Sequence, residues 1–157
     1  MCKSWSGNSP ITGTNGPDTL IGTSAPNSMN GLGGNDAMNG CDGSDSVNGN
    51  TGNDGLAGGT GDDRVRGNEG DDIVQGNAGN DVVVGDSGFD TLTGGPGSDT
   101  FLCGPEGDTI TDFQAGVDRR SGNCMLAPAP APALAPPAAS NLNSNPTPSL
   151  LISLPSP

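Results

Sequence analysis

The chain has 157 residues, with 18 Asp and Glu against five Lys and Arg, for a formal charge of -13. This acidic balance argues against a nucleic-acid partner, and the absence of His removes Cys/His zinc sets and His-activated nucleophiles. Composition alone (28 Gly, 14 Pro, three Phe, one Trp, no Tyr) reads as a disordered low-complexity chain.

Residues 1–12 contain no apolar run of the kind a Sec-type signal peptide needs. Trp5 and Ile11 are the large apolar groups of this stretch, and they are expected to form an N-terminal cap over residues 1–12.

From Gly13 to Leu102 the chain repeats every nine residues, ten times. Gly58-Gly-Thr-Gly-Asp-Asp-Arg-Val-Arg66 is a clear copy. The first position is always Gly, as in Gly31, Gly49, Gly58, Gly67, Gly76 and Gly85. The fourth is Gly except at Ala25, as in Gly34, Gly52, Gly61, Gly70, Gly79 and Gly88. The sixth is Asp at Asp18, Asp36, Asp45, Asp54, Asp63, Asp72, Asp81, Asp90 and Asp99, and Asn at Asn27. The eighth is always apolar, from Leu20 to Phe101. A damaged eleventh copy supplies Asp108 and Ile110.

Each position has a physical job. Gly at the first and fourth positions permits φ > 0, so the first six residues are expected to form a tight turn. Residues seven to nine are expected to form a short strand with only the eighth pointing inward. Arg64, Arg66, Ile73, Val82 and Val84 then face outward. Nine residues make half a coil and eighteen make a full coil. Sixth-position carboxylates would stack along two edges, about 4.8 Å per coil. Such a column repels itself unless a hard divalent cation, held by carboxylate and backbone carbonyl oxygens, sits between successive turns. One edge carries Asp18, Asp36, Asp54, Asp72, Asp90 and Asp108; the other carries Asn27, Asp45, Asp63, Asp81 and Asp99. One ion per adjacent carboxylate pair predicts about eight ions, roughly five on the first edge and three on the second, with the Asn27 turn weak or empty. Asp42, Asp62, Asp71 and Asp86 lie off the sixth position and read as solvated turn residues.

The pattern resembles the haemolysin-type, or RTX, calcium-binding nonapeptide repeat. That resemblance implies an all-β fold, a right-handed parallel β-roll (β-solenoid) over residues 13–111, with Ca²⁺ held in the Gly-Asp turns of both edges. The family prefers Gly at the second position, where this chain has it only at Gly59 and Gly95 within the ten copies. Asp108-Thr-Ile-Thr-Asp112-Phe113 resembles the segment that commonly closes such a block. Ile110 and Phe113 are expected to cap the last coil, and Asp112 is equally compatible with a ligand or a cap role.

Four cysteines, Cys2, Cys41, Cys103 and Cys124, allow three pairings. Cys103 and Cys124 bracket the closing segment of residues 112–124 and are the expected pair. The bond would be worth roughly 3 kcal/mol in the chain-entropy account. Cys2 with Cys41 would then tie the N-terminal cap to the roll. Residues 125–157 are a Pro/Ala-rich tail of polyproline II character. It is compatible with a disordered spacer, a C-terminal secretion signal or a segment that docks on another copy. Its Leu150–Leu154 stretch is too short to span a membrane.

No zinc-protease helix or Gly-x-Ser-x-Gly elbow is present, so the chain is not expected to be an enzyme. The expected function is a secreted, extracellular calcium-binding module whose folding is driven by Ca²⁺. The alternative is a structural subunit, partnered by other copies of itself in a calcium-stabilised matrix, surface layer or filament. Size measurement with and without calcium separates the two.

Overall fold

The computed structural model describes residues 10–128. Cys2, Trp5 and the tail from residue 129 onward lie outside the described residues. Two parallel sheets of seven strands each face one another, and the chain alternates between them at every strand. One sheet contains β1 (Ile11–Thr12), β3 (Ser28–Gly33), β5 (Ser46–Thr51), β7 (Arg64–Glu69), β9 (Val82–Ser87), β11 (Thr100–Leu102) and β13 (Arg119–Ser121). The other contains β2 (Thr19–Thr23), β4 (Ala37–Asp42), β6 (Gly55–Thr60), β8 (Ile73–Ala78), β10 (Thr91–Thr93), β12 (Asp108–Ile110) and β14 (Cys124–Leu126). Val47 pairs with Val65 and Leu56 with Val74, an offset of 18 residues. The fold is therefore the expected β-solenoid, with about 18 residues per coil.

The core is one column of eighth-position side chains. Met29, Met38, Val47, Leu56, Val65, Val74, Val83, Leu92, Phe101 and Ile110 are buried, while Ile11 and Leu20 pack partly exposed at the N-terminal end. Each nine-residue half coil thus gains about 1.5–3 kcal/mol from its single buried side chain. That is a thin return for ordering so glycine-rich a chain.

Three features depart from the sequence-based expectations. First, the strands β3 to β9 are six residues long rather than three. Pairing skips the first-position Gly and resumes at the next two residues, as in Asn30↔Asn48 followed by Leu32↔Asn50. The turn is left with only the fourth, fifth and sixth residues.

Second, the first-position glycines do not supply the positive φ. In eight successive half coils the second residue does: Leu32, Cys41, Asn50, Gly59, Asn68, Asn77, Asp86 and Gly95 have φ between 73° and 124°. Asn and Asp tolerate this left-handed conformation better than most side chains, which explains how the chain departs from Gly there. From Gly34 to Gly97 the fourth-position glycines do adopt positive φ, and they also stack backbone on backbone. A Cβ on Gly52, Gly70 or Gly88 would strike the carbonyl of the fourth-position Gly one coil earlier.

Third, Val84 is buried at 4 % exposure, whereas Ile73 is 54 % exposed. Val84 lies between Arg66 and Leu102 in neighbouring strands, and the Arg66–Asp86 ion pair bridges the two strands beside it. The arginine stem and the leucine shield it from water.

The C-terminal end is closed by mixed chemistry. Phe113 packs against the core with its ring centroid 6.3 Å from that of Phe101. The Arg120 guanidinium lies 5.1 Å from the Phe113 ring centroid. Arg120 occupies the strand position paired with Phe101, so the apolar column ends there. The Cys103–Cys124 disulfide is present, with Cα atoms 5.4 Å apart, and fixes the last coil to the one before it. Cys41 is disulfide-bonded as well; the expected pairing with Cys2 lies outside the described residues.

Candidate metal centres

The sixth-position residues form two continuous columns. Each backbone N–H donates to the Oδ1 of the residue one coil later. On the first edge the bonds run from Asp18 to Asp36, then to Asp54, Asp72, Asp90 and Asp108, at 2.8–3.2 Å. On the second they run from Asn27 to Asp45, then to Asp63, Asp81, Asp99 and Asp118, at 2.6–3.0 Å. All of the expected Asp residues therefore stand in the two columns. Asp118 is a further member that sequence reasoning missed. It lies 19 residues after Asp99 rather than 18, because the closing segment carries one extra residue. Its 8 % exposure marks it as part of the interior edge.

The other carboxylate oxygen is what makes these columns chemically unusual. Oδ2 of Asp36, Asp45, Asp54, Asp63, Asp72, Asp81, Asp90 and Asp99 is buried and accepts no hydrogen bond. The first-position glycines explain where these atoms sit. A Cβ on Gly31 would fall within 3.0 Å of both Asp36 Oδ2 and the Gly49 carbonyl oxygen of the next coil. Gly40 meets Asp45 and the Gly58 carbonyl in the same way, Gly49 meets Asp54 and Gly67, and Gly67 meets Asp72 and Gly85. The space denied to a Cβ is shared by two oxygens with no proton donor between them. Leaving one buried polar group unsatisfied costs about 1–3 kcal/mol, and more if it is charged. Eight in two rows require a common cause.

Burial pushes the carboxyls of Asp63, Asp72 and Asp81 up from 3.8 to about 6 and that of Asp90 up to about 7. Asp45, Asp54 and Asp99 are raised for the same leading reason. The hydrogen bonds to backbone N–H groups pull the other way and the neighbouring carboxylates add to the rise, Asp108 beside Asp90 among them. A carboxyl with a raised folded-state pKa takes up protons on folding. Its penalty is absent below about 4 and complete above about 7. In chelator, the metal-free roll should therefore gain β-sheet signal as pH falls from 7.5 to 4.5, measured by far-ultraviolet circular dichroism. A signal that is flat or falls over that range would contradict the burial of these groups.

The donor set suits a hard cation. Carboxylate and backbone carbonyl oxygens are the ligands that calcium takes. Among the described residues no group of three or more His, Cys, Asp or Glu side chains converges, so each centre depends on main-chain oxygen to complete it. Off the columns, the turn residues are held differently. Asp42 accepts from Thr60 Oγ1 at 2.7 Å, Asp62 from the Asn80 N–H at 2.8 Å and Asp71 from the Phe89 N–H at 2.9 Å. Asp62 and Asp71 belong to a second, outer ladder of fifth-position side chains between coils, while Asp42 and Thr60 join third positions; the repeat pattern disclosed neither. Asp112 accepts from the N–H groups of Gly94 and Gly95 at 3.0 and 2.7 Å, so its carboxylate caps backbone.

A family model for the RTX calcium-binding nonapeptide repeat matches four times, over residues 12–47, 40–74, 48–83 and 75–110. The chain belongs to the RTX calcium-binding nonapeptide repeat family. The RTX roll is a structural calcium-binding module, not an enzyme family, and RTX repeat proteins are typically secreted. No curated protein matches the chain. Among the described residues no helix is long and apolar enough to cross a membrane.

Proposed function

We propose that this RTX chain is an extracellular, non-catalytic module that is unfolded where calcium is scarce and folds when calcium fills the two Asp columns. The eight buried Oδ2 atoms without a hydrogen-bond donor carry this reading. The ions would be held by the eight carboxylates whose Oδ2 is orphaned, together with main-chain oxygens of the Gly-rich turns, including first-position carbonyls such as those of Gly49 and Gly67. Bound calcium supplies positive charge where the chain offers only oxygen. It replaces the desolvation cost of each column with coordination, so binding free energy becomes folding free energy. The formal charge of -13 and the single apolar column leave little else to hold the chain folded at neutral pH. Sites of the extracellular class bind at about 10⁻⁴–10⁻³ M, a range that separates the cell interior from its surroundings.

A calcium titration followed by circular dichroism tests this. The expected result is a cooperative gain of β-sheet signal in the high-micromolar to millimolar range, reversed by chelator. A spectrum indifferent to both additions would refute calcium-driven folding.

A further inference from the structure

The columns contain two kinds of coil, and the difference lies in one peptide group. In the eight half coils whose Asp Oδ2 is orphaned, the residue four positions earlier has positive φ. The match is one to one: Leu32 precedes Asp36, Asn50 precedes Asp54, Asn68 precedes Asp72, and so on through the eight. At the four column ends the residue four positions earlier donates its N–H instead. Thr14 donates its N–H to Asp18 Oδ2 at 2.6 Å, and Thr23 donates to Asn27 Oδ1 at 2.6 Å. Gly104 donates to Asp108 Oδ2 at 2.8 Å and Gln114 to Asp118 Oδ2 at 2.7 Å. None of these four donors has positive φ.

We propose that the backbone conformation of the second residue of each repeat decides whether a coil is closed by a metal ion or by a hydrogen bond. This rests on the calcium reading above and deepens it. With negative φ, the second residue's own N–H reaches the carboxylate and satisfies it. With positive φ, that N–H is turned away from the carboxylate of its own coil, and the adjoining first-position carbonyl faces the carboxylate of the preceding coil, as Gly49 faces Asp36 and Gly67 faces Asp54. Asp18 and Asn27 also face such a carbonyl, of Gly31 and Gly40, but they keep the donor of Thr14 or Thr23. Loss of the donor is therefore what decides, and where it is missing only a cation restores the balance. The second residue is thus a positioning residue that touches no ion through its side chain.

The consequence is a definite distribution. Sites belong to the orphaned carboxylates, four on each edge. The Asp18 coil, which a rule of adjacent carboxylates would fill, is closed by Thr14 instead. The Asp99 coil, which that rule would leave empty on the sequence pattern, is open towards Asp118. Asn27 shows that a column end needs no carboxylate, since its amide oxygen takes the same bond as Asp18 Oδ2.

The test counts calcium bound to the full chain at saturation, by equilibrium dialysis in 0.15 M potassium chloride and by native mass spectrometry. The unmodified chain should bind eight. Asp18→Asn should still bind eight, because Asn accepts the Thr14 N–H as Asn27 accepts that of Thr23. Leu32→Val should bind seven, since a β-branched residue resists positive φ and returns its N–H to Asp36. Leu32→Gly should restore eight. Loss of an ion in Asp18→Asn, or eight ions in Leu32→Val, would overturn the proposal. If Leu32→Val does not fold, the Asp18→Asn count still decides. Absence of calcium uptake by the unmodified chain would instead remove the calcium reading itself.

Discussion

Gly67→Ala should destabilise the calcium-loaded roll by about 3 kcal/mol or more, while Gly55→Ala should stabilise it by about 0.5–1 kcal/mol. The two glycines lie in consecutive strands, β6 and β7, and differ in what surrounds them. A Cβ on Gly67 would land inside the Asp72 carboxylate and within 3.0 Å of the Gly85 carbonyl oxygen. The carboxylate has little freedom to move aside, because its other oxygen accepts the Asp54 N–H at 2.8 Å. Gly55 stands at the seventh position, on the outer face of its sheet, between Ala37 and Ile73. Its nearest obstacle is the Asp36 carbonyl at 3.9 Å, so Ala fits and removes backbone freedom from the unfolded chain. Thermal melts of both variants at saturating calcium provide the check. Equal effects would show that the first-position glycine is kept for flexibility and not for space.

Asp72→Asn should change sign with calcium. In chelator it is expected to stabilise the roll by about 1–2 kcal/mol, and in saturating calcium to destabilise it by at least as much. The amide oxygen can still accept the Asp54 N–H, so the ladder survives. The amide nitrogen takes the place of the orphaned Oδ2 and can donate to the Gly85 carbonyl that shares its space. The buried charge disappears with it. What is gained without metal is lost with metal, because a coordinating oxygen has become a donor. Asp72→Ala should destabilise under both conditions, since the buried Asp54 N–H loses its acceptor. Denaturant melts of the three proteins, run in chelator and in calcium, give the six values required. An Asp72→Asn effect of the same sign in both solutions would exclude a metal at this carboxylate.

The nine-residue period made the coil, the inward eighth position and both Asp columns legible, because a strict repeat admits few ways to stack. The glycines were legible as necessary but not as to reason. Absence of a side chain serves positive φ and close approach alike, and only coordinates separate Gly34, which has φ +98°, from Gly31, which makes room for Asp36. Asp118 escaped because counting by nine breaks once a single residue is inserted. Its signal in the sequence was an acidic residue near a column end, just before Arg119 and Arg120. The burial of Val84 was equally hidden, since it depends on an ion pair between residues 20 apart on adjacent strands.

Every ladder hydrogen bond in the repeats joins a residue to one a single coil away, so no coil between the ends is anchored to a particular place in the sequence. Excising residues 49–66, or duplicating them, would leave each remaining coil with neighbours of the kind it already has. Thr14 and Thr23 at one end, and Gly104, Gln114 and Arg120 at the other, would be untouched. Length is thus a freely adjustable property of this architecture in steps of eighteen, and each step would carry its own pair of ions.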